Sequence, residues 1–318
     1  MRFEDVHNVA MIGAGTMGAG MGVCYAQAGY QVTLYDVVPD SLEQALVRID
    51  NSQRVFVEEG LVSEAEARAA RARVSTTADL ARALGGVQFV LEAAPERLEL
   101  KRKLFRDMEA LCPASTILAT NTSGLSITAI ASACEHPERV GGQHWANPAE
   151  IVPLVEVIRG EQTSDNTIDV IYRITEKLGK VPVVVQKDVP GFASNRLQFA
   201  VLREALHLVN EGIVSAEDAD KTLKNGVGFR YPWLGPLETA DLGGLTTFHS
   251  VAQYLLPALS TMQTTPEFFD RLIEEGKLGI GSGEGFYDYT DCDRDEVLRK
   301  RDLYFIRQLK LLREIRSR

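Results

Sequence analysis

Short apolar runs alternate with longer helix-period stretches through the first half of the chain. Val9–Ile12, Gln31–Tyr35, a run at Val74, Val87–Ala93, Ile117–Thr120, Val140–His144, Val152–Val157 and Val181–Val185 read as strands. Their Val, Ile and Leu content suits strands buried on both faces. Helices are expected between them, at Ala19–Ala28, Pro39–Gly60, Ser63–Arg73, Asp79–Leu84, Leu98–Leu111, Ile127–Ala133 and Thr167–Leu178. Such alternation predicts a parallel, doubly wound α/β sheet with ligands at the carboxyl ends of its strands. Beyond Asp188-Val189-Pro190-Gly191 the strand signals vanish. Helical segments follow at Ala193–Glu211, Ser215–Leu223, Leu242–Leu259, Pro266–Glu275 and from about Asp293 to Arg318. Two domains are expected, an α/β domain over 1–188 and an all-α domain over 189–318.

The first strand runs into Gly13, Gly15 and Gly18 at G-x-G-x-x-G spacing, then a helix, a second strand and Asp36. That order is what a dinucleotide needs. Gly13 permits the tight turn, Gly15 lets a pyrophosphate approach the backbone, and Gly18 allows helix and strand to pack closely. The phosphates sit on the free N–H groups that open the helix, where Thr16 and Met17 lie. Asp36 accepts from the ribose hydroxyls and would repel the 2′-phosphate of NADP, and Val37 and Val38 supply no compensating arginine. NAD is therefore the expected cofactor and the sheet domain is Rossmann-type. An FAD-binding protein shares this opening and competes on these residues alone. Ala93, at a later strand end, joins Gly13, Gly15, Thr16, Met17, Gly18 and Asp36 as a candidate cofactor-binding residue. A second glycine cluster, Gly279–Tyr287, has neither preceding strand nor following helix. It reads as a loop able to close over a ligand.

Composition narrows the function classes. The 318 residues are 45% hydrophobic and 25% charged, as in ordinary globular proteins, and can build two cores. A net charge of −10 argues against nucleic acid or an anionic membrane as partner. No apolar run is long enough to span a bilayer, and MRFEDVHN carries no signal or transit character. Cys24, Cys112, Cys134 and Cys292 are scattered without C-x-x-C or a histidine cluster. Reduced thiols in a cytoplasmic protein are expected, with no metal site. Ser63–Arg73, with the helix before it, reads either as an insertion touching substrate or as a solvated helical pair. The charged last helix carries Val297, Leu298, Leu303, Phe305, Ile306, Leu309 and Leu312 and must dock somewhere. Its basic face reads as solvated.

The chemistry is expected at His144, which ends a strand in GGQHWANP. Glu156 is a carboxylate within the apolar VPLVEV, so it needs a partner, and an imidazole is the nearest suitable one. The acid would hold the ring in one tautomer and make it more basic. A dehydrogenase needs such a base to take the alcohol proton as hydride leaves carbon. Ser123, after a strand, and Asn195, in the first turn of a helix, are candidate ligands of the reacting oxygen. Either can equally be a helix cap.

GAGTMGAGM, EAAPERLELKRKLF, NTSGLSIT, HWANPAEIVPLVEVI, KDVPGFASNRL and GEGFYDY occur in one order from Asn8 to about Tyr289. Together they resemble the L-3-hydroxyacyl-CoA dehydrogenase family. The resemblance implies a Rossmann-type domain followed by a helical domain that forms homodimers. It implies His144 as catalytic base, Glu156 as its orienting acid, and Ser123 and Asn195 as substrate-oxygen ligands. Glu96, Lys101, Ser123 and Asn147 would contact the cofactor near its nicotinamide. NEGIVSAEDAD, GVGFRYPWLGPLETADL and the charged last helix are similar to the lambda-crystallin/L-gulonate 3-dehydrogenase branch. Carnitine dehydrogenases and a pyridine-alcohol dehydrogenase of vitamin B6 breakdown look related too. Acyl-CoA members carry lysines after the second strand that meet CoA phosphates, whereas here no lysine lies between Asp36 and Lys101, leaving Arg48 and Arg54 as the nearest substitutes. Arg230 interrupts the GVGF–YPWLGP turn, where a guanidinium suits a free carboxylate. The expected activity is NAD-dependent oxidation of the 3-hydroxyl of a small 3-hydroxy acid or a short 3-hydroxyacyl-CoA. The alternative is a catalytically idle, crystallin-like structural or NAD-binding protein.

Overall fold

The computed structural model describes Met1–Arg316. Ser317 and Arg318, the end of the expected last helix, lie outside the described residues. Eight strands are present: β1 (Asn8–Ile12), β2 (Gln31–Tyr35), β3 (Val74–Thr77), β4 (Phe89–Glu92), β5 (Ile117–Thr120), β6 (Val140–Trp145), β7 (Leu154–Ile158) and β8 (Val181–Val185). They form one sheet in the order β3-β2-β1-β4-β5-β6-β7-β8. Helices α1 (Thr16–Gln27), α2 (Pro39–Glu58), α3 (Glu64–Ala72), α4 (Leu80–Leu84), α5 (Leu98–Leu111), α6 (Ile127–Ala131) and α7 (Asp165–Lys177) connect them.

Both faces of the sheet are covered, and β1 shows how. Val9 and Met11 belong to an apolar cluster with Tyr25, Leu42, Ile49 and Ile171. Ala10 and Ile12 point the other way, into a cluster with Phe105, Met108 and Ile130. Period-two alternation thus feeds two cores at once, which is why the strand reads as wholly apolar.

The sheet departs from the all-parallel expectation at one place. β6 and β7 pair antiparallel, while the other neighbours pair parallel. The link between them, 146–153, contains no helix. A connection that short cannot cross over the sheet and has to turn back on itself. The resulting register sets His144 directly opposite Glu156.

The chain divides into two compact units, Met1–Arg196 with Tyr304–Arg313, and one built on Leu197–Leu303. The second is helical. α8 (Ser194–Asn210) enters it, followed by α9 (Ala216–Thr222), which continues without a break through a π-helical turn, Leu223–Val227, into α10 (Gly228–Arg230). The single helix expected over Leu242–Leu259 is instead α11 (Pro236–Gly243) and α12 (Leu245–Leu255). Gly244, at φ 90°, separates them, and Pro236 opens α11 with Glu238 accepting from the Gly235 N–H. α13 (Glu267–Glu274) and α14 (Arg294–Arg316) complete the fold. Among described residues 197–303, only Leu206, Ser260 and Pro266 are buried. Phe199, Phe229, Leu237, Leu242, Tyr254 and Leu256 are all more than 60% exposed.

The last helix docks on the first unit through Ile306 and Leu309, which pack with Phe56 and Ile151 beside Val55, Leu61 and Val62. Lys310 pairs with Glu59 at 2.7 Å. α14 thus lies on the turn between α2 and α3. Leu42, Ala45 and Ile49 of α2 sink into the main core, so this helical pair is an anchored layer with a polar outer side.

Candidate active site

The glycine turn is shaped by close approach. Gly13 takes φ 108°, and a Cβ there would lie 2.6 Å from the Ala93 carbonyl. A Cβ on Gly18 would lie 1.9 Å from the Gly13 carbonyl, so only hydrogen fits. Nothing lies within 4 Å of the Cβ position of Gly15, at the mouth of α1. Open space meets the helix N–H groups of Thr16 and Met17 there, with no acidic residue in the first turn. This cradle fits a pyrophosphate. The Asp36 carboxylate accepts from the N–H groups of Ala14 and Val38 at 2.9 and 3.0 Å, which sets it beside the turn. Val37 and Val38 next to it are exposed.

Beneath the neighbouring loops lies a buried ion pair. Lys101 Nζ donates to Glu92 Oε1 at 2.7 Å and to the Ala94 carbonyl at 3.1 Å, and stands 3.4 Å from Glu96. Glu92 also accepts from the Ala94 N–H and the Thr120 hydroxyl. Lys101, 1% exposed, therefore holds the loop after β4 as a strut. Glu96 reaches across to the next loop, accepting from the Thr122 hydroxyl and the N–H groups of Ser123 and Gly124. Burial opposes its charge, but the Thr122 hydroxyl and the Lys101 cation outweigh this and keep its carboxyl below the usual range.

His144 and Glu156 meet across the antiparallel pair, with Nδ1 2.8 Å from Oε2. The side chains are 7% and 1% exposed. Oε2 also accepts the Ser194 hydroxyl at 2.6 Å, and Oε1 accepts the N–H groups of Ala193 and Ser194, both at 2.9 Å. Burial works against the Glu156 charge, yet bonds from the His144 ring, Ser194 and Ala193 win and bring its pKa down to about 2. An ionised carboxylate only accepts, so Nδ1 carries the hydrogen and Nε2 is the basic nitrogen. The donors arrive on a strained turn, with Gly191 at φ 75° and Phe192 at φ 48°. The Phe192 ring lies 5.6 Å from the imidazole, centre to centre.

The loop after β5 completes the group. Asn121 Oδ1 accepts the Trp145 N–H at 2.8 Å, tying this loop to the end of the histidine strand. Ser123 is exposed beyond it, and Asn195 Nδ2 donates to the Ser123 carbonyl at 2.9 Å. Asn147 is exposed on the turn after β6. Gly13, Gly18, Ala93 and Asp36 thus gather at one turn, His144 with Glu156 at a second place, and Glu96, Ser123 and Asn195 at a third. Arg230 belongs to the helical unit. It is exposed, and among the described residues no hydrogen bond or ion pair engages its guanidinium. Sequence reasoning missed Glu92 and Ser194. An acid ending the apolar FVLE strand was the available signal for the first. A serine beside asparagine at a helix start gave none for the second.

A parallel sheet with a dinucleotide turn, and an imidazole–carboxylate pair on the same sheet, define a nicotinamide-dependent dehydrogenase. Comparison with known proteins makes the class specific. Residues 8–189 match the family described as 3-hydroxyacyl-CoA dehydrogenase, NAD binding domain, and residues 191–289 match its C-terminal domain. The chain belongs to this family, and its cofactor is NAD, which removes FAD from contention. It is 37% identical over 285 residues to the 5-formyl-3-hydroxy-2-methylpyridine 4-carboxylate 5-dehydrogenase of Mesorhizobium japonicum, covering 90% of this chain and 91% of that one. A crystal structure of an enzyme of that name, described as an NAD+-dependent dismutase, superposes with a TM-score of 0.91 at 35% identity. It covers 97% of this chain and 99% of that one. A probable 3-hydroxybutyryl-CoA dehydrogenase of Bacillus subtilis is 37% identical over 288 residues, 90% of this chain and 99% of its own. A lambda-crystallin homolog of Bos taurus is 35% identical over 264 residues, 82% of each chain.

Because folding lowers the Glu156 pKa, its charge stabilises the fold fully above its ordinary value of 4.5, and that contribution fades as pH falls toward 2. Urea unfolding of wild type and Glu156→Gln should show a stability gap that narrows as pH falls below about 4.5. A gap independent of pH would remove the carboxylate charge as its source.

Proposed function

We propose that the protein oxidises the 3-hydroxyl of a small free hydroxy acid, with His144 as base. The observation that carries the reading is the buried His144–Glu156 pair, whose Nδ1 is committed to the carboxylate. Nε2 takes the hydroxyl proton, and Glu156 steadies the imidazolium that forms. The Ser123 hydroxyl and the Asn195 amide hold the reacting oxygen. NAD, when bound, accepts the hydride from the carbon. Gly13, Gly15, Thr16, Met17 and Gly18 would hold its pyrophosphate and Asp36 its adenosine ribose, with Ala93 lining the turn. Glu96, Ser123 and Asn147 would contact its nicotinamide half, and Lys101 would act there through the loop it braces.

Two features favour a free acid over a CoA thioester. The α2–α3 layer is lysine-free, its Arg54, Arg68 and Arg71 are engaged by Glu58, Glu64 and Asp50, and α14 is laid over its turn. Acidic side chains disfavour a polyphosphate ligand. Arg230, with no ion-pair partner among the described residues, is the guanidinium we assign to the substrate carboxylate. The lambda-crystallin/L-gulonate 3-dehydrogenase branch remains our placement within the family, supported by the bovine homolog.

A homodimer is supported by the helical unit, whose apolar residues are exposed and which buries almost nothing of its own. Among the described residues no helix is long and apolar enough to cross a membrane. Four free cysteines fit the reducing cytoplasm.

His144→Ala should leave the NAD dissociation constant unchanged while kcat falls by roughly 10²–10⁴-fold. Unchanged turnover would remove His144 from the mechanism. NADH formation from 3-hydroxybutyrate and related free acids should exceed that from 3-hydroxybutyryl-CoA, and Arg230→Ala should raise KM for the acids about tenfold or more. A strong preference for the CoA ester, indifferent to Arg230, would defeat the free-acid reading. Light scattering should give twice the chain mass, and a monomer would refute the pairing.

A further inference from the structure

Glu156 is held by four donors, and one residue supplies two of them. Ser194 gives its N–H to Oε1 and its hydroxyl to Oε2. The hydroxyl bond, at 2.6 Å, falls on the same oxygen that faces His144 Nδ1 at 2.8 Å. A serine just before a helix ordinarily turns its oxygen onto the N–H groups of the first turn. The caps at Ser63, Ser126, Ser164 and Ser215 do so. Ser194, one place further on as the first residue within α8, aims at a carboxylate thirty-eight positions earlier in the chain.

An ionised carboxylate hydrogen-bonded to one imidazole nitrogen favours a proton on the other, and the charge on Oε2 is what faces Nδ1–H here. A second donor on that oxygen withdraws part of that charge and weakens the effect. Among the described residues, no other titratable side chain bonds to His144 or Glu156. On the adjoining elements, Asp188 accepts from Ser126 and the Thr128 N–H. Arg196 turns to the Pro190 carbonyl. Glu96 is engaged by the loop after β5. β8 carries no titratable residue.

We propose that Ser194 is a positioning residue that sets the proton affinity of His144, by donating to the Glu156 oxygen on which the imidazole rests. Applied to turnover, this rests on the reading of His144 as base. The ring itself can be followed without substrate. With five histidines in the chain, the His144 C2–H resonance is identified by its loss in His144→Ala. In the intact protein, the titration midpoint of that resonance should rise by about half a unit to one unit in Ser194→Ala. Ser194→Cys, a weaker donor, should fall between, and Ser194→Thr should restore the wild-type value. An unmoved midpoint in Ser194→Ala, with the amide spectrum still dispersed, overturns the proposal. So does an equal shift in Ala and Thr variants, which would mark a packing effect.

The pH profile of kcat/KM separates this from the functional reading. Its acid limb, measured with whichever of 3-hydroxybutyrate and 3-hydroxybutyryl-CoA is turned over, should move in step with the midpoint. A shifted midpoint with a fixed limb would uphold Ser194 and overturn His144 as base.

Discussion

The site depends on a carboxylate kept ionised in the interior. An unpaired buried charge would neutralise or unfold its surroundings, so Glu156 exists as an anion only because four donors converge on it. Each comes with a condition on the fold. The imidazole requires β7 to run antiparallel to β6 in one register, since a slip of one residue would turn His144 to the opposite face. The two N–H groups and the hydroxyl require the chain to turn sharply after β8, through two left-handed residues, before α8 begins. Sheet topology, hinge conformation and the tautomer of one ring are thus parts of a single constraint.

Much of this was legible in the chain. The glycine turn, Asp36 and the parallel strands follow from periodicity and from residue types that admit few alternatives. The His144–Glu156 pairing followed from a simpler point, that an acid inside an apolar strand must find a partner. Hidden were the features that depend on what lies opposite in space. Nothing local to VPLVEV states the direction of that strand, and only the helix-free link before it betrays the reversal. The serine of FASNRL looks like any helix-opening serine until the carboxylate facing it is known. Lys101 looks like a surface lysine on α5, and its burial depends on Glu92 lying beneath it.

The helical half shows the limit of pattern reading in a different way. Its amphipathic segments were visible, but its breaks were not. Gly244 divides what periodicity joined, while the glycines of KNGVGF fail to interrupt a helix that passes through them as a π-turn. Apolar periodicity reports that a face must be covered and is silent on what covers it. α14 shows this: Ile306 and Leu309 found their cover on α2 and the turn beyond it, whereas most apolar side chains of residues 197–303 remain open to solvent.

The Glu92–Lys101 pair carries a lesson about inheritance. Both side chains are sealed from water, so replacing Lys101 alone strands the Glu92 charge in the interior at a cost of about 3–5 kcal/mol, and replacing Glu92 alone leaves the buried ammonium only the half-exposed Glu96. Descendants of this gene can exchange the pair for two neutral residues only by a double change. Drift at either codon alone is costly. Among distant kin, positions 92 and 101 should therefore vary together, as one locus that happens to be written in two places.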